Sequence, residues 1–260
     1  MKIGISTACF YPLETEKALK KIVDKGIECT EVFFNAECEL TDEFVRELVR
    51  IKDAGVTEIV SLHPTMSLAE SFMLFSAYDR RTQQGLDQYR RYGEIAAMLG
   101  AKYIIMHGGK DNGILNCEQY CERFLKIAEC VREGGGILLQ ENAAKFRAGE
   151  LRFLSEMKKH LGKSAEFCLD TKQCIRRGYT PFDAIEEIGE NIKHLHISDS
   201  TPCDDCLLPK RGNFDFAGMF ERLSALGYDG NAVIEVYSKA YESFDEIFES
   251  LQNLKEDLSL

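Results

Sequence analysis

Residues 137–170 read ILLQENAAKFRAGELRFLSEMKKHLGKSAEFCLD. Ile137–Glu141 is a short apolar run closed by a carboxylate, the pattern of a buried strand with a polar end. Leu151–Leu161 is charged and amphipathic, as a helix packed on a sheet would be. Gly162 follows it, where a left-handed helix cap belongs, and Glu166–Asp170 is again a strand closed by a carboxylate. Outward from this unit the alternation continues. Strands are expected at Ile3–Thr7, Thr30–Phe34, Glu58–His63, Tyr103–His107, Ile192–Ile197 and Ala232–Val236. Helices are expected at Glu14–Lys25, Asp42–Lys52, Asp79–Leu99, Cys117–Arg132, Phe182–Ile188, Phe216–Leu226 and Ser243–Leu254. Alternating strand and helix make a parallel sheet. Eight such units, with no glycine-rich phosphate fingerprint after the first strand, favour a closed barrel over an open sheet. The fold class is therefore α/β, a single (β/α)8 TIM barrel spanning residues 1–260 as one domain, with no linker. Its longest insertion, residues 64–78 after the third strand, carries Met66, Leu68, Phe72, Met73, Leu74 and Phe75. That segment reads either as an extra helix on the rim or as a lid or subunit contact, the latter allowing a homo-oligomer.

The formal net charge of -11 opposes tight binding to nucleic acid or to an anionic membrane. No signal peptide is recognisable, and no apolar run approaches the roughly 20 residues that span a bilayer. The ten cysteines are scattered, so they are read as reduced thiols of a cytoplasmic protein. Cys203 and Cys206 form a lone CxxC, which is weak ground for zinc or redox chemistry.

Barrel enzymes carry their reactive groups at the C-terminal ends of the strands. Here those positions hold His63, His107, Glu141, Asp170, His196 and Glu235, with no lysine among them. Converging carboxylates raise one another's pKa, and a divalent cation relieves that repulsion. The mixed oxygen and nitrogen donors suit Mn2+, Mg2+, Co2+ or Zn2+. His194, on the same strand face as His196, is read as a buried, hydrogen-bonded side chain. In the loop KRGNFDF, Arg211 reads either as a recognition group for a substrate phosphate or carboxylate or as a solvated loop charge. Gly108 and Gly109 could admit a substrate to the backbone or make a tight turn.

The motifs LGAKYIIMHGG (99–109), LLQENA (138–143), FCLDT (167–171), IKHLHISDS (192–200) and AVIEVY (232–237) fall in order on successive strands. Together they resemble the xylose-isomerase-like barrels, which include sugar and sugar-phosphate isomerases and epimerases and the endonuclease-IV-type nucleases. In the ketose 3-epimerase branch a Glu, an Asp, a His and a second Glu hold one divalent ion. The resemblance places these roles on Glu141, Asp170, His196 and Glu235, with the two glutamates as acid and base on opposite faces of the sugar. It also places Glu31, His63 and His107 in or near the pocket. Two departures stand out. Gln173 occupies a position that is a substrate-touching His in many isomerases and a third-metal ligand in the nucleases, and the nuclease Asp-x-His motif reads Asp204-Asp205-Cys206 here. They leave one ion on the quartet, with room for a second near His63 and His107, and argue against a third.

The resemblance implies a metal-dependent sugar or sugar-phosphate isomerase or epimerase, acting on a small polyhydroxylated substrate (sugar, sugar phosphate or cyclic polyol) by proton transfer beside a carbonyl, through a metal-stabilised enediolate. A lyase, dehydrating a dehydroshikimate- or inosose-like compound, is the alternative on the same scaffold. An abasic-site endonuclease and a non-catalytic sugar-binding barrel stand behind it.

Overall fold

The computed structural model describes residues 1–64, 67–111 and 113–259, with backbone only at 67–68. Its strands are β1 (Ile3–Ser6), β2 (Cys29–Phe33), β3 (Glu58–His63), β4 (Tyr103–Met106), β5 (Ile137–Glu141), β6 (Phe167–Asp170), β7 (Ile192–Ile197) and β8 (Asn231–Ile234). All neighbours pair in parallel and in chain order. The pairs Ile3↔Ala232, Gly4↔Val233 and Ile5↔Ile234 join β1 to β8 and close the barrel.

Around the strands run α1 (Thr15–Asp24), α2 (Asp42–Asp53), α3 (Ser67–Met73), α4 (Asp79–Leu99), α5 (Cys117–Gly134), α6 (Leu151–Leu161), α7 (Thr171–Arg176), α8 (Pro181–Ile188), α9 (Phe216–Ala225) and α10 (Phe244–Asp257). The apolar stripes face the sheet: α1 buries Ala18, Leu19 and Ile22, and α2 buries Val45 and Leu48. Each such leucine or isoleucine contributes about 1.5–3 kcal/mol. Thr41, Asn116 and Thr180 cap α2, α5 and α8 through their side chains. Gly26, Gly100, Gly162 and Gly227 take the positive φ of a helix terminus.

Two helices lie outside the simple alternation. The six-residue α7 springs directly from Asp170, whose carboxylate accepts the N–H groups of Lys172 and Gln173. It is too short to show a helical period in sequence. The other, α3, belongs to the insertion after β3, where Leu74 and Phe75 are buried and Phe75 stacks on Tyr120 with ring centroids 4.4 Å apart. Phe72 is exposed, and the Arg81 guanidinium lies 3.8 Å from its ring centroid. Met66 and the Leu68 side chain lie outside the described residues. All ten cysteines are free thiols. Among the described residues, no helix is long and apolar enough to cross a membrane.

Candidate metal and substrate site

Side chains on a strand alternate between its two faces, so residues two apart share one. The rows Tyr103–Ile105, Ile137–Leu139, Cys168 and Val233 therefore lead, at the strand ends, to His107, Glu141, Asp170 and Glu235. The barrel gathers these ends into one ring. Glu141, Asp170, His196 and Glu235 each offer a donor atom, and the four atoms lie within 4.8 Å of one another.

His196 is central to this group. Its Nδ1 stands 3.2 Å from Glu141 Oε1, 3.6 Å from Glu235 Oε2 and 4.0 Å from Asp170 Oδ2. Its Nε2 meets Glu31 Oε2 at 2.9 Å. A histidine tied by one nitrogen to a carboxylate and presenting the other to a cluster of donors has the arrangement of a metal ligand. Glu31 is fully buried behind His196 and does not reach the cavity. Its oxygens accept hydrogen bonds from Ser6 Oγ at 3.1 Å and Ser61 Oγ at 2.8 Å. Ser61 Oγ also lies 3.0 Å from His194 Nε2, so His194 is the buried, hydrogen-bonded side chain expected of it.

A second group lies alongside. His63, His107 and Glu141 bring their donor atoms within 4.8 Å of one another. His107 Nε2 stands 2.6 Å from Glu141 Oε2 and 3.2 Å from His63 Nε2. Glu141 Oε2 is buried and meets His107 as this ion pair, with no further hydrogen-bond partner among the described residues. The insertion supports this group from outside. Glu70 of α3 buries its carboxylate, accepting the Gly108 N–H and the Tyr89 hydroxyl, each at 2.6 Å. Gly108 takes a φ of 88°, and a Cβ there would strike the Tyr120 hydroxyl at 1.9 Å. A tight turn thus accounts for that glycine.

The absence of lysine expected at the site needs correction. Lys172, two residues beyond the end of β6, turns back over Asp170. Its ammonium pairs with Asp170 Oδ2 and Glu235 Oε2 and is 2% exposed. The sequence reading missed it because only the α7 turn brings it to the ring.

The charges are strongly coupled. Burial pushes Asp170 up to about 7, with Lys172 opposing and Glu141 and Glu235 adding to the rise. Burial would raise Glu141 too, but His107 and His196 hold it well below its ordinary value. Burial opposes charge on His107, yet Glu141 raises it to about 9. Burial and then His107 lower His63. Burial also opposes charge on His196, but Cys168, Glu31 and Glu235 raise it well above the ordinary histidine value. Such displaced values are common where groups do chemistry or bind ions.

The ring opens into a cavity of about 380 Å³. His63, His107, Glu141, Lys172, Gln173 and Glu235 form most of its polar wall, with Asn35 and Ser238, and Phe33, Val236 and Tyr237 part of its apolar one. Asp170 and His196 are fully buried behind that wall. Gln173 faces the cavity while its Oε1 accepts the Ala144 N–H at 3.0 Å. Arg211 is not among the residues that line it, and its side chain pairs with Glu246. Arg176 grips Asp205, with Nε 2.6 Å from Oδ2. The neighbouring Cys206 is buried as a free thiol.

The donor set fits a divalent cation. Three carboxylates and one imidazole nitrogen converge, and the histidine is braced from behind.

Comparison with known proteins agrees with this architecture. Residues 19–257 match the family described as the xylose isomerase-like TIM barrel. An uncharacterized protein of Mycobacterium leprae is 24% identical over 97% of this chain and 96% of its own length. A D-tagatose 3-epimerase-like protein superposes with a TM-score of 0.82 at 21% identity, covering 100% of this chain and 97% of that one. The IolI protein, solved with a zinc atom, gives a TM-score of 0.75 at 13% identity, covering 99% of this chain and 98% of its own. At these identities the structural likeness speaks for the fold.

Proposed function

The chain belongs to the xylose isomerase-like TIM barrel family, and from that premise we propose that it is a metal-dependent isomerase or epimerase of a small polyhydroxylated carbonyl compound. The observation that carries this reading is the convergence of Glu141, Asp170, His196 and Glu235, with both glutamates facing the cavity. These four side chains would hold one divalent ion, and His63 and His107 would contact substrate or, with Glu141, a second ion. A bound ion would supply Lewis acidity toward adjacent carbonyl and hydroxyl oxygens.

The protein's own groups account for the remaining steps. Glu141 and Glu235 are the candidate acid and base, one withdrawing the proton from the carbon beside the carbonyl and the other returning one. Glu141 Oε2 faces His107 Nε2 at 2.6 Å and keeps a further lone pair for this work. His107, held protonated beside it, donates to a substrate oxygen. Gln173 hydrogen-bonds a hydroxyl but carries no proton. Among the described residues, Lys172 is the one Lys or Arg lining the cavity, and in this structure its charge is engaged by carboxylates. Neighbours with epimerase names, such as the D-tagatose 3-epimerase-like protein, support the substrate class.

The test is solvent-deuterium uptake, followed by NMR, with Mn2+-loaded protein and a panel of ketoses and their phosphates. Exchange at the carbon beside the carbonyl is expected, lost by about two orders of magnitude or more in Glu141→Gln and Glu235→Gln. No exchange across the panel, or variants as active as the parent, refutes the proposal. A conjugated, ultraviolet-absorbing product would assign the lyase chemistry instead.

A further inference from the structure

Lys172 stands where a metal ion would be in demand. Its ammonium makes ion pairs to two of the four quartet carboxyl and imidazole ligands, Asp170 and Glu235, inside the fold and not at its surface. Burying an ammonium is costly, and only the surrounding carboxylates make that position tenable. The same carboxylates, left without any cation, would repel one another. An ammonium and a divalent ion cannot share those two oxygens, because like charges at contact distance in a dry site repel strongly.

The side chain has somewhere to go. Lys172 borders the 380 Å³ cavity. The Tyr237 ring centroid lies 5.9 Å from its nitrogen, and Tyr237 is half exposed at the cavity rim. The Arg176 guanidinium already lies 5.3 Å from that ring, so the open cavity is what has room for a displaced ammonium.

We propose that Lys172 is a tethered cation: it fills the ligand set of Glu141, Asp170, His196 and Glu235 in the metal-free protein and is expelled toward the cavity when a divalent ion enters. The side chain thereby holds the empty ring together, lowers its affinity for metal, and makes metal loading move a positive charge toward the substrate space. This inference rests on the reading of the quartet as a cation site.

Calorimetric titration with Mn2+ of chelator-stripped wild type, Lys172→Met and Lys172→Gln tests it, with Asp170→Asn as the control that removes a ligand. Both Lys172 variants should bind at least about tenfold more tightly than wild type, since no ammonium has to leave two carboxylates. The second readout uses wild type alone: reductive methylation, mapped by mass spectrometry, should leave Lys172 protected without metal and label it after Mn2+ is added. Equal or weaker affinity in both variants while wild type binds, or Lys172 equally protected in both states, overturns the tethered cation and leaves the metal site standing. Absence of Mn2+ binding in wild type and in both variants overturns the tethered cation and the quartet reading together.

Discussion

Asn142 is the side chain on which the position of Asp170 depends most directly. It follows Glu141 at the end of β5 and is fully buried. Its Oδ1 accepts the Asp170 N–H at 2.7 Å, and its Nδ2 donates to the Asp170 carbonyl at 3.0 Å. The same Nδ2 lies 3.1 Å from Cys174 Sγ in α7. One amide thus clamps β5 to the end of β6 and to the helix that carries Lys172. Asn142→Leu keeps the approximate volume and removes the clamp. The Asp170 N–H is then buried without a partner, costing about 1–3 kcal/mol, and the weaker carbonyl bond adds about 1 kcal/mol. The sum is about 2–4 kcal/mol, a large share of the 5–15 kcal/mol that holds an ordinary domain folded. Urea unfolding should show a lower midpoint with an unchanged slope, because the exposed surface is the same. Mn2+ affinity should fall with it, since Asp170 loses its backbone anchor. A loss below about 0.5 kcal/mol, the range of an uninvolved surface change, would refute the clamp.

Two further predictions concern packing and pH. A Cβ on Gly93 would lie 2.4 Å from the Val131 carbonyl oxygen and 3.0 Å from Gly134 Cα, where α4 crosses α5. Gly93→Ala should therefore destabilise by about 1–3 kcal/mol net, although alanine is the better helix former; a rise in Tm would show that the crossing is looser. Burial, and then His196, lowers His194 from 6.5 to about 4. A histidine that is harder to protonate folded than unfolded supports the fold above pH 6.5, and that support is lost as the pH falls toward 4. The 2.5-unit difference corresponds to about 3 kcal/mol at most. In chelator-treated protein, His194→Gln should flatten the stability profile between pH 6.5 and 4; an unchanged slope would place the acid sensitivity elsewhere.

The barrel was legible in the sequence because its determinants are local and periodic. Ile137–Glu141, Leu151–Leu161 and Ile192–Ile197 have the same bounds in sequence and structure, since apolar alternation and capping residues act over a few positions. The strand-end rule also gathered His63, His107, Glu141, Asp170, His196 and Glu235 on one rim before any coordinates. Other features depend on how the chain turns in space. The sequence left Arg211 between a substrate anion and a solvated loop charge, and its pairing with Glu246 of α10 comes from packing. Glu70 carries no strand-end signal, and it reaches the His107 turn only because α3 folds against the rim. Glu31 enters the ring from behind, through contacts with Ser61 and His196 on other strands. Lys172 is the sharpest case. Nothing in the stretch Asp170-Thr171-Lys172 marks the lysine as a site residue, and only the α7 turn carries its nitrogen between Asp170 and Glu235. By itself the sequence determined the alternating elements and the row of polar strand ends, because side-chain periodicity is written in neighbours. Tertiary structure alone decided which charges meet, because electrostatic partners are chosen by distance across the closed barrel and not by separation along the chain.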